Sequence, residues 1–332
     1  MIKDWIKRLI IIALGLIVSI YIWHVNRNIF HNIYRRCLLL SITTFLIIIV
    51  PFEIYFSVRT IWYERWSNIK LNKLETIKIK IAIEKDSRYG DITANLIRSR
   101  NKQLIDSKNT VIIVSHGYSD TKETLQYLYL PLTLQGYTIL AYDARGSGES
   151  RKLGKRNQFL KRIEDYKKIL DWIQNKEELN NFEVCSIGFS IGALIAVAAA
   201  FTNEKVKKII TISLISRYKK NVLRANPLIL LSYLIKGIKL LPTQEEIEKL
   251  SPYLMFKNYK KNVSEEKWNQ ITKRIYLIHS KNDSVIKFSN FQENQSILEL
   301  PPNNTLIFKK GGHTMKKNEL ALVGGIMQFL NN

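Results

Sequence analysis

Residues 188–192 read Gly-Phe-Ser-Ile-Gly, a G-x-S-x-G pattern with Ser190 at its centre. Where a strand runs into this pattern and a helix leaves it, the serine stands on a sharp, strained turn with its hydroxyl presented outward. Glycines two residues to either side let strand and helix pack closely beneath it. The bare pattern also describes an ordinary glycine-rich turn, so its meaning depends on its partners. A seryl hydroxyl becomes a nucleophile only beside a base, and the chain offers five histidines: His24, His31, His116, His279 and His313. Other chemistries have no comparable footing. No cluster of His, Cys and carboxylates has metal-ligand spacing. The two cysteines, Cys37 and Cys185, make neither a disulfide framework nor a thiolate site. There is no phosphate-binding G-x-x-x-x-G-K-[ST] loop, and Gly146-Ser147-Gly148 lacks the rest of a dinucleotide fingerprint, so no cofactor is expected.

The elements that would position Ser190 are legible around it. Residues 76–84 (TIKIKIAIE) alternate with period two and residues 91–97 follow a turn at Tyr89-Gly90, which predicts a β-hairpin. Uninterrupted apolar runs then alternate with helical stretches. Residues 110–115, 137–142, 182–187, 206–213, 274–279 and 305–309 read as strands. Residues 121–135, 157–174, 191–202 and 318–329 read as helices. Solid apolar strands separated by helices predict an α/β fold, a mostly parallel sheet covered on both faces. In such sheets working residues collect at the carboxyl ends of the strands. The loops there hold His116-Gly117-Tyr118, the run Asp143-Ala144-Arg145-Gly146-Ser147-Gly148-Glu149-Ser150, Asp283 with Ser284-Val285-Ile286, and Gly311-Gly312-His313.

This ordered set resembles the α/β-hydrolase superfamily. It is most similar to the branch of monoacylglycerol-lipase-like, cinnamoyl-esterase-like and serine-aminopeptidase-like hydrolases, with their HG-x and D-x-RG-x-G-x-S motifs. The resemblance runs from about residue 76 to 329. It implies Ser190 as nucleophile, His313 as the base that takes and returns its proton, and Asp283 as the acid that orients the imidazole. It also implies an oxyanion hole from the backbone amides of Tyr118 and Ile191. His116 and His279 are expected to be structural, Asp143 to brace loops, and Cys185 to lie in the core. The activity implied is cleavage of a carboxylic ester through an acyl-serine intermediate, on a lipid-like or other small amphiphilic acyl substrate. Amide or peptide cleavage of the serine-aminopeptidase type is the alternative within the class, with thioester cleavage a third.

The first 58 residues read differently. Residues 9–23 (LIIIALGLIVSIYIW) carry no formal charge, and an apolar run from Cys37 continues to Val58 with only Glu53 interrupting it. A spanning helix needs roughly 20 apolar residues. A signal peptide would require a small-x-small cleavage site, and Tyr21, Trp23 and His24 stand there instead. Flat interfacial helices would need a polar face, and buried core helices would sit among the globular elements. The expectation is a membrane anchor over 1–58 with transmembrane helices at about 6–25 and 37–58, joined by a polar loop over residues 24–36. A juxtamembrane linker follows over 59–75, then a hydrolase domain over 76–332 with a cap insert at about 215–273. Seven cations (Lys3, Lys7, Arg8, Arg59, Arg65, Lys70, Lys73) flank the outer ends of the pair, against three (Arg27, Arg35, Arg36) in the connection. The positive-inside rule therefore places the catalytic domain in the cytoplasm.

Composition is consistent with both parts. Of 332 residues 46% are hydrophobic and 24% charged, which excludes a disordered or low-complexity chain. The net charge is +23, and 45 cations against 26 anions follow Val58, so the excess belongs to the soluble part. It suits an anionic surface, and with an anchor present the expected partner is a lipid bilayer containing anionic lipids. No aromatic-plus-basic reading module points to nucleic acid. The cations of residues 151–168 read as a solvated helix face or a lipid-facing one. Residues 227–241 (PLILLSYLIKGIKLL) read as a cap helix, as the wall of an acyl pocket, or as a segment that dips into the bilayer. From a different class, a non-catalytic, basic membrane-surface scaffold retaining a hydrolase fold remains a competing function. Oligomeric state is not encoded in any of these patterns.

Overall fold

The computed structural model describes residues 4–29, 34–66, 71–83, 90–223, 225, 227–235 and 237–332, and the chain forms two compact units, Met1–Ser67 and Asn68–Asn332. The first unit is a helical pair, α1 (Asp4–Ile29) and α2 (Tyr34–Trp66). Each contains a stretch long and apolar enough to cross a bilayer: Arg8–Arg27, with mean hydropathy 2.1, and Tyr34–Ile54, with 2.4. Small residues let the two backbones approach. Gly15 packs on Ile49 and Phe45, and the Ser41 hydroxyl donates to the Ser19 carbonyl at 2.6 Å. The outward faces (Leu14, Ile17, Ile20, Leu39, Ile47) are exposed. Two expectations are corrected here. Helical structure takes in most of the residues expected as the polar loop, and α2 runs through Trp66, so much of the expected linker is helix.

The second unit opens with the expected hairpin, β1 (Leu74–Ala82) paired antiparallel with β2 (Asp91–Ser99). Its turn at Tyr89 lies outside the described residues. A short helix unforeseen in the sequence, α3 (Lys102–Lys108), follows, capped by the Asn101 side chain on the Gln103 amide. Then come β3 (Thr110–Ser115), α4 (Gln126–Leu134), β4 (Thr138–Tyr142), α5 (Phe159–Asn175), β5 (Glu183–Phe189), α6 (Ile191–Ala200) and β6 (Val206–Ile212). Five helices fill the expected insert: α7 (Tyr218–Leu223), α8 (Pro227–Ile235), α9 (Gln244–Lys249), α10 (Pro252–Lys261) and α11 (Glu265–Thr272). The chain closes with β7 (Ile275–Ser280), α12 (Ser289–Leu298), β8 (Thr305–Phe308) and α13 (Glu319–Asn331). The eight strands form one sheet in the order β1-β2-β4-β3-β5-β6-β7-β8, parallel from β4 onward. Helices α5, α6, α10 and α12 share one core with one face of the sheet; α4 and α13 share a second core with the other. Both faces are thus covered, which is why β3, β4 and β7 are buried throughout and largely apolar. This is the α/β-hydrolase fold.

The 143–150 loop is braced by buried charge. Asp143 accepts from the Lys122 amide (2.9 Å), the Lys122 ammonium (2.7 Å) and the Glu149 amide (2.9 Å). Arg145 forks onto Asp165 of α5 at 2.9 and 2.7 Å and donates to the Leu153 carbonyl at 2.8 Å. Burial pushes the Asp165 carboxyl up, and this guanidinium pulls against that shift. Removing one member of such a pair strands a buried charge. Arg145→Met is therefore expected to destabilise the fold by about 3–5 kcal/mol in chemical denaturation.

Candidate active site

The chain turns from β5 into α6 within one residue. Ser190 takes φ 55°, ψ −119°, a conformation that side-chain-bearing residues rarely adopt. Its amide donates to the Ile212 carbonyl at 2.8 Å, which ties the turn to β6. A Cβ on Gly188 would stand 2.4 Å from the Ala193 Cα, and one on Gly192 would stand 2.1 Å from the Ser115 carbonyl oxygen. Both contacts are with backbone and cannot give way. The two glycines thus press the start of α6 against the end of β3.

Three sequence-predicted residues meet at the carboxyl edge of the sheet. His313 Nε2 lies 3.1 Å from Ser190 Oγ, and His313 Nδ1 lies 2.8 Å from Asp283 Oδ2. Phe189 packs on the His313 ring with centroids 5.0 Å apart. Asp283 is buried, and its Oδ1 accepts from the Val285 and Ile286 amides at 2.8 and 2.9 Å. Burial alone would raise this carboxyl, but the hydrogen bonds from His313 and the Ile286 amide hold it below the usual range. A carboxyl depressed in the fold contributes stability at neutral pH that is lost as pH falls through its lowered value. Carboxylate, imidazole and hydroxyl therefore form one hydrogen-bonded chain, which can draw a proton from the serine and hold the resulting imidazolium.

Of the amides expected to make an oxyanion hole, Ile191 is the first residue of α6, where an N–H has no carbonyl one turn back in its own helix. Tyr118 lies two residues beyond His116, whose carbonyl oxygen would be 2.6 Å from a Cβ on Gly192. The two backbone segments are therefore in contact. The Tyr118 ring packs edge-on against Phe159 at 6.0 Å.

The remaining candidates are held elsewhere. His116 Nε2 accepts from the Ala144 amide at 2.9 Å, so the proton sits on Nδ1 and is donated to the Gly117 carbonyl at 2.7 Å. Burial, aided by the nearby Arg162 charge, pushes His116 down to about 3, so it stays neutral and fixes the loop. His279 bonds the Ile286 carbonyl at 2.8 Å and is likewise lowered by burial. Cys185 is buried in β5, and burial raises its thiol to about 12. One expectation fails outright. Arg162, read as part of a charged surface, is wholly buried on α5 with Nη2 3.4 Å from the His116 carbonyl. A residue absent from the sequence reading, Ser213, places its hydroxyl 2.9 Å from Asp283 Oδ2. Its only sequence signal is its place just past the carboxyl end of an apolar strand. No group of three or more potential metal ligands occurs among the described residues.

A strained serine between β5 and α6, with its imidazole and carboxylate arriving from the loops after β8 and β7, defines a class. The chain has the α/β-hydrolase fold, and at its site the serine, imidazole and carboxylate geometry by which serine hydrolases work. Residues 106–261, just under half of the chain, match the family model described as serine aminopeptidase, S33. Solved structures similar in fold include an esterase of Pyrococcus furiosus, 18% identical with TM-score 0.56 over 80% of this chain and 96% of that one. Acetyl xylan esterase 1 from a Thermoanaerobacterium species is 17% identical with TM-score 0.53 over 80% and 85%. The acylaminoacyl peptidase of Pyrococcus horikoshii is 19% identical with TM-score 0.57 over 79% of this chain and 42% of that one. No curated protein matches the sequence.

A paired substitution checks the packing of the turn. Gly192→Ala drives a methyl into the β3 backbone and is expected to cost about 3 kcal/mol. Gly324→Ala, on α13 with nothing within 4 Å of its added Cβ, is expected to stabilise by up to about 1 kcal/mol. Denaturant titration of the two variants measures both signs.

Proposed function

We propose that the protein is a membrane-tethered serine esterase that cleaves the carboxylic ester of a lipid-like amphiphile through an acyl-serine intermediate. The observation that carries the reading is the unbroken chain from Asp283 Oδ2 through His313 to Ser190 Oγ. Ser190 Oγ attacks the ester carbon as its proton passes to His313 Nε2. The carbonyl π electrons move to oxygen, where the amides of Tyr118 and Ile191 receive the charge. When the tetrahedral adduct collapses, the C–O bond to the alcohol breaks and His313 returns the proton to the leaving oxygen. Water then repeats the sequence on the acyl-serine, freeing the acid and the Ser190 hydroxyl. Asp283 stays ionised throughout and stabilises the imidazolium.

Three features support an amphiphile at a membrane. The helical pair α1–α2 meets the length and apolarity of two spans. Seven cations toward the outer ends of the pair against three toward its connection support a cytoplasmic placement of the second unit. In that unit, six described large apolar side chains are more than half exposed, and five of them lie between Leu223 and Leu241. Leu231, Leu234 and Ile235 fall on one stripe of α8, exposed by 54%, 54% and 79%. On the same helix Tyr233 is half-buried against the core, its hydroxyl pushed up by burial and by the field of Asp283. One face of α8 thus packs on the core, and the other offers apolar surface to an acyl-rich environment. The alternative, amide or peptide cleavage, draws on the description of the family model and on the acylaminoacyl peptidase among the similar folds.

Labelling of the full chain by a fluorophosphonate, with Ser190→Ala as control, tests the chemistry. The expected result is loss of the label and at least a thousandfold fall in ester turnover; an unlabelled folded wild type overturns the reading. Matched acyl esters and amides separate the two substrate classes. A further expected outcome concerns α8. Leu234→Glu with Ile235→Glu should lower turnover of vesicle-borne esters roughly tenfold or more while leaving a short soluble ester unaffected. Equal rates on both substrates would remove the membrane-facing part of the proposal.

A further inference from the structure

We infer that Ser213 is a positioning residue whose hydroxyl keeps the Asp283 carboxylate on His313 and away from a second imidazole, His279. The inference rests on the hydrolase reading above and adds to it a residue that no sequence motif marks.

Ser213 is the residue after β6, wholly buried, and its amide donates to the Ile278 carbonyl of β7 at 2.9 Å. Its φ is 54°, in the region that favours glycine. A glycine would sit there without strain, and what serine adds is a hydroxyl. That hydroxyl donates to Asp283 Oδ2 at 2.9 Å. The carboxylate is then fully subscribed: Val285 and Ile286 amides on Oδ1, His313 Nδ1 and Ser213 Oγ on Oδ2. A carboxylate has about four lone-pair directions, and all are taken.

His279 makes this more than a spare hydrogen bond. Its Nε2 stands 3.7 Å from Asp283 Oδ2, outside hydrogen-bond distance, while bonded to the Ile286 carbonyl at 2.8 Å. Two imidazoles therefore flank one carboxylate oxygen, one engaged and one held just short. Without the Ser213 hydroxyl, Oδ2 has an empty direction and a second N–H within a small rotation. The titratable groups beside Asp283 are His279 from the end of β7 and His313 from the loop after β8, and its field also raises the Tyr233 hydroxyl of α8. Ser213 is the uncharged group that decides between the first two.

The experiment compares Ser213→Ala, Ser213→Gly and Ser213→Thr with wild type and Ser190→Ala, all as full chains. The readouts are the fluorophosphonate labelling rate, kcat and KM on a p-nitrophenyl ester, the acid limb of kcat/KM, and thermal stability. Ser213→Ala is expected to lower kcat and the labelling rate roughly tenfold with KM unchanged. The acid limb should move to lower pH, because a carboxylate turned toward His279 no longer holds the imidazolium of the working base as tightly. Ser213→Gly should show the same kinetic loss while being at least as stable as wild type, since it is free of the backbone strain. That split is what a merely structural serine would not produce. Ser213→Thr keeps the hydroxyl and should recover most of the rate; if it does not fold, the alanine and glycine variants decide the matter alone. Wild-type rates in folded Ala and Gly variants, with Ser190→Ala inactive, overturn the role of Ser213 and leave the hydrolase reading intact. A folded wild type that neither labels nor turns over ester overturns both.

Discussion

Between β5 and α6 the backbone reverses around Ser190 under a steric condition: neither Gly188 nor Gly192 can carry a side chain. A Cβ on either would lie within 2.4 Å of a backbone atom, of Ala193 in one case and of Ser115 in the other. The condition propagates. Because α6 starts hard against the end of β3, its first amide comes to the segment that carries Gly117 and Tyr118. Because the turn is pinned to β6 through the Ile212 carbonyl, the Ser190 hydroxyl has a fixed height above the sheet edge. The strain of about 1–3 kcal/mol in such a residue is sustained by the two cores that surround it. Geometry at Ser190 is thus set by backbone packing, and the neighbouring loops have only to meet it.

The loops meet it with three histidines in one unit that have been given different electrostatic lives. His116 is buried beside a cation and stays neutral, serving as a brace between β3 and the 143–150 loop. His279 is lowered by burial and closes the 283–286 turn by bonding its last carbonyl. His313 alone is partly exposed and lies between a hydroxyl and a carboxylate. The same division appears among the acids. Asp143 and Asp165 are each matched to a basic side chain, Lys122 and Arg145, and are committed to structure. Asp283 instead accepts from amides, a hydroxyl and an imidazole, and among the described residues no Lys or Arg is bonded to it. That leaves its charge available to a neighbouring imidazolium.

Much of this was readable in the sequence because the sheet is doubly covered. Solid apolar runs gave six strands within a residue or two, and strand ends located the loops where Ser190, Asp283 and His313 stand. Periodicity was silent on α3 and α12, short helices whose order comes from capping and tertiary contact. It was silent, too, on the exact helices of the insert. Charge counting misjudged Arg162: the run of cations from residue 151 to 168 looks uniform, yet a helix buries every third or fourth position, and this guanidinium falls on the inward stripe of α5. Ser213 had no signal beyond its place at the end of an apolar strand. Its role depends on a positive φ and on the distance between the ends of β6 and β7, both properties of the assembled sheet.

On the proposed reading, the exposed stripe of α8 bears on why the chain carries α1 and α2. An ester embedded in a bilayer presents its carbonyl at the headgroup level while its chain stays in hydrocarbon. A freely diffusing enzyme must cover apolar patches to stay soluble; a tethered one works beside a surface that can cover them. Leu231, Leu234 and Ile235 are what a soluble domain avoids exposing together, and the excess of 45 cations over 26 anions after Val58 favours an anionic surface by about 1 kcal/mol per cation close to it. Apolar stripe and positive charge act at different ranges, the charge over a Debye length and the stripe on contact. On the proposed reading the two are successive steps of one approach to lipid, and the tether makes both of them intramolecular.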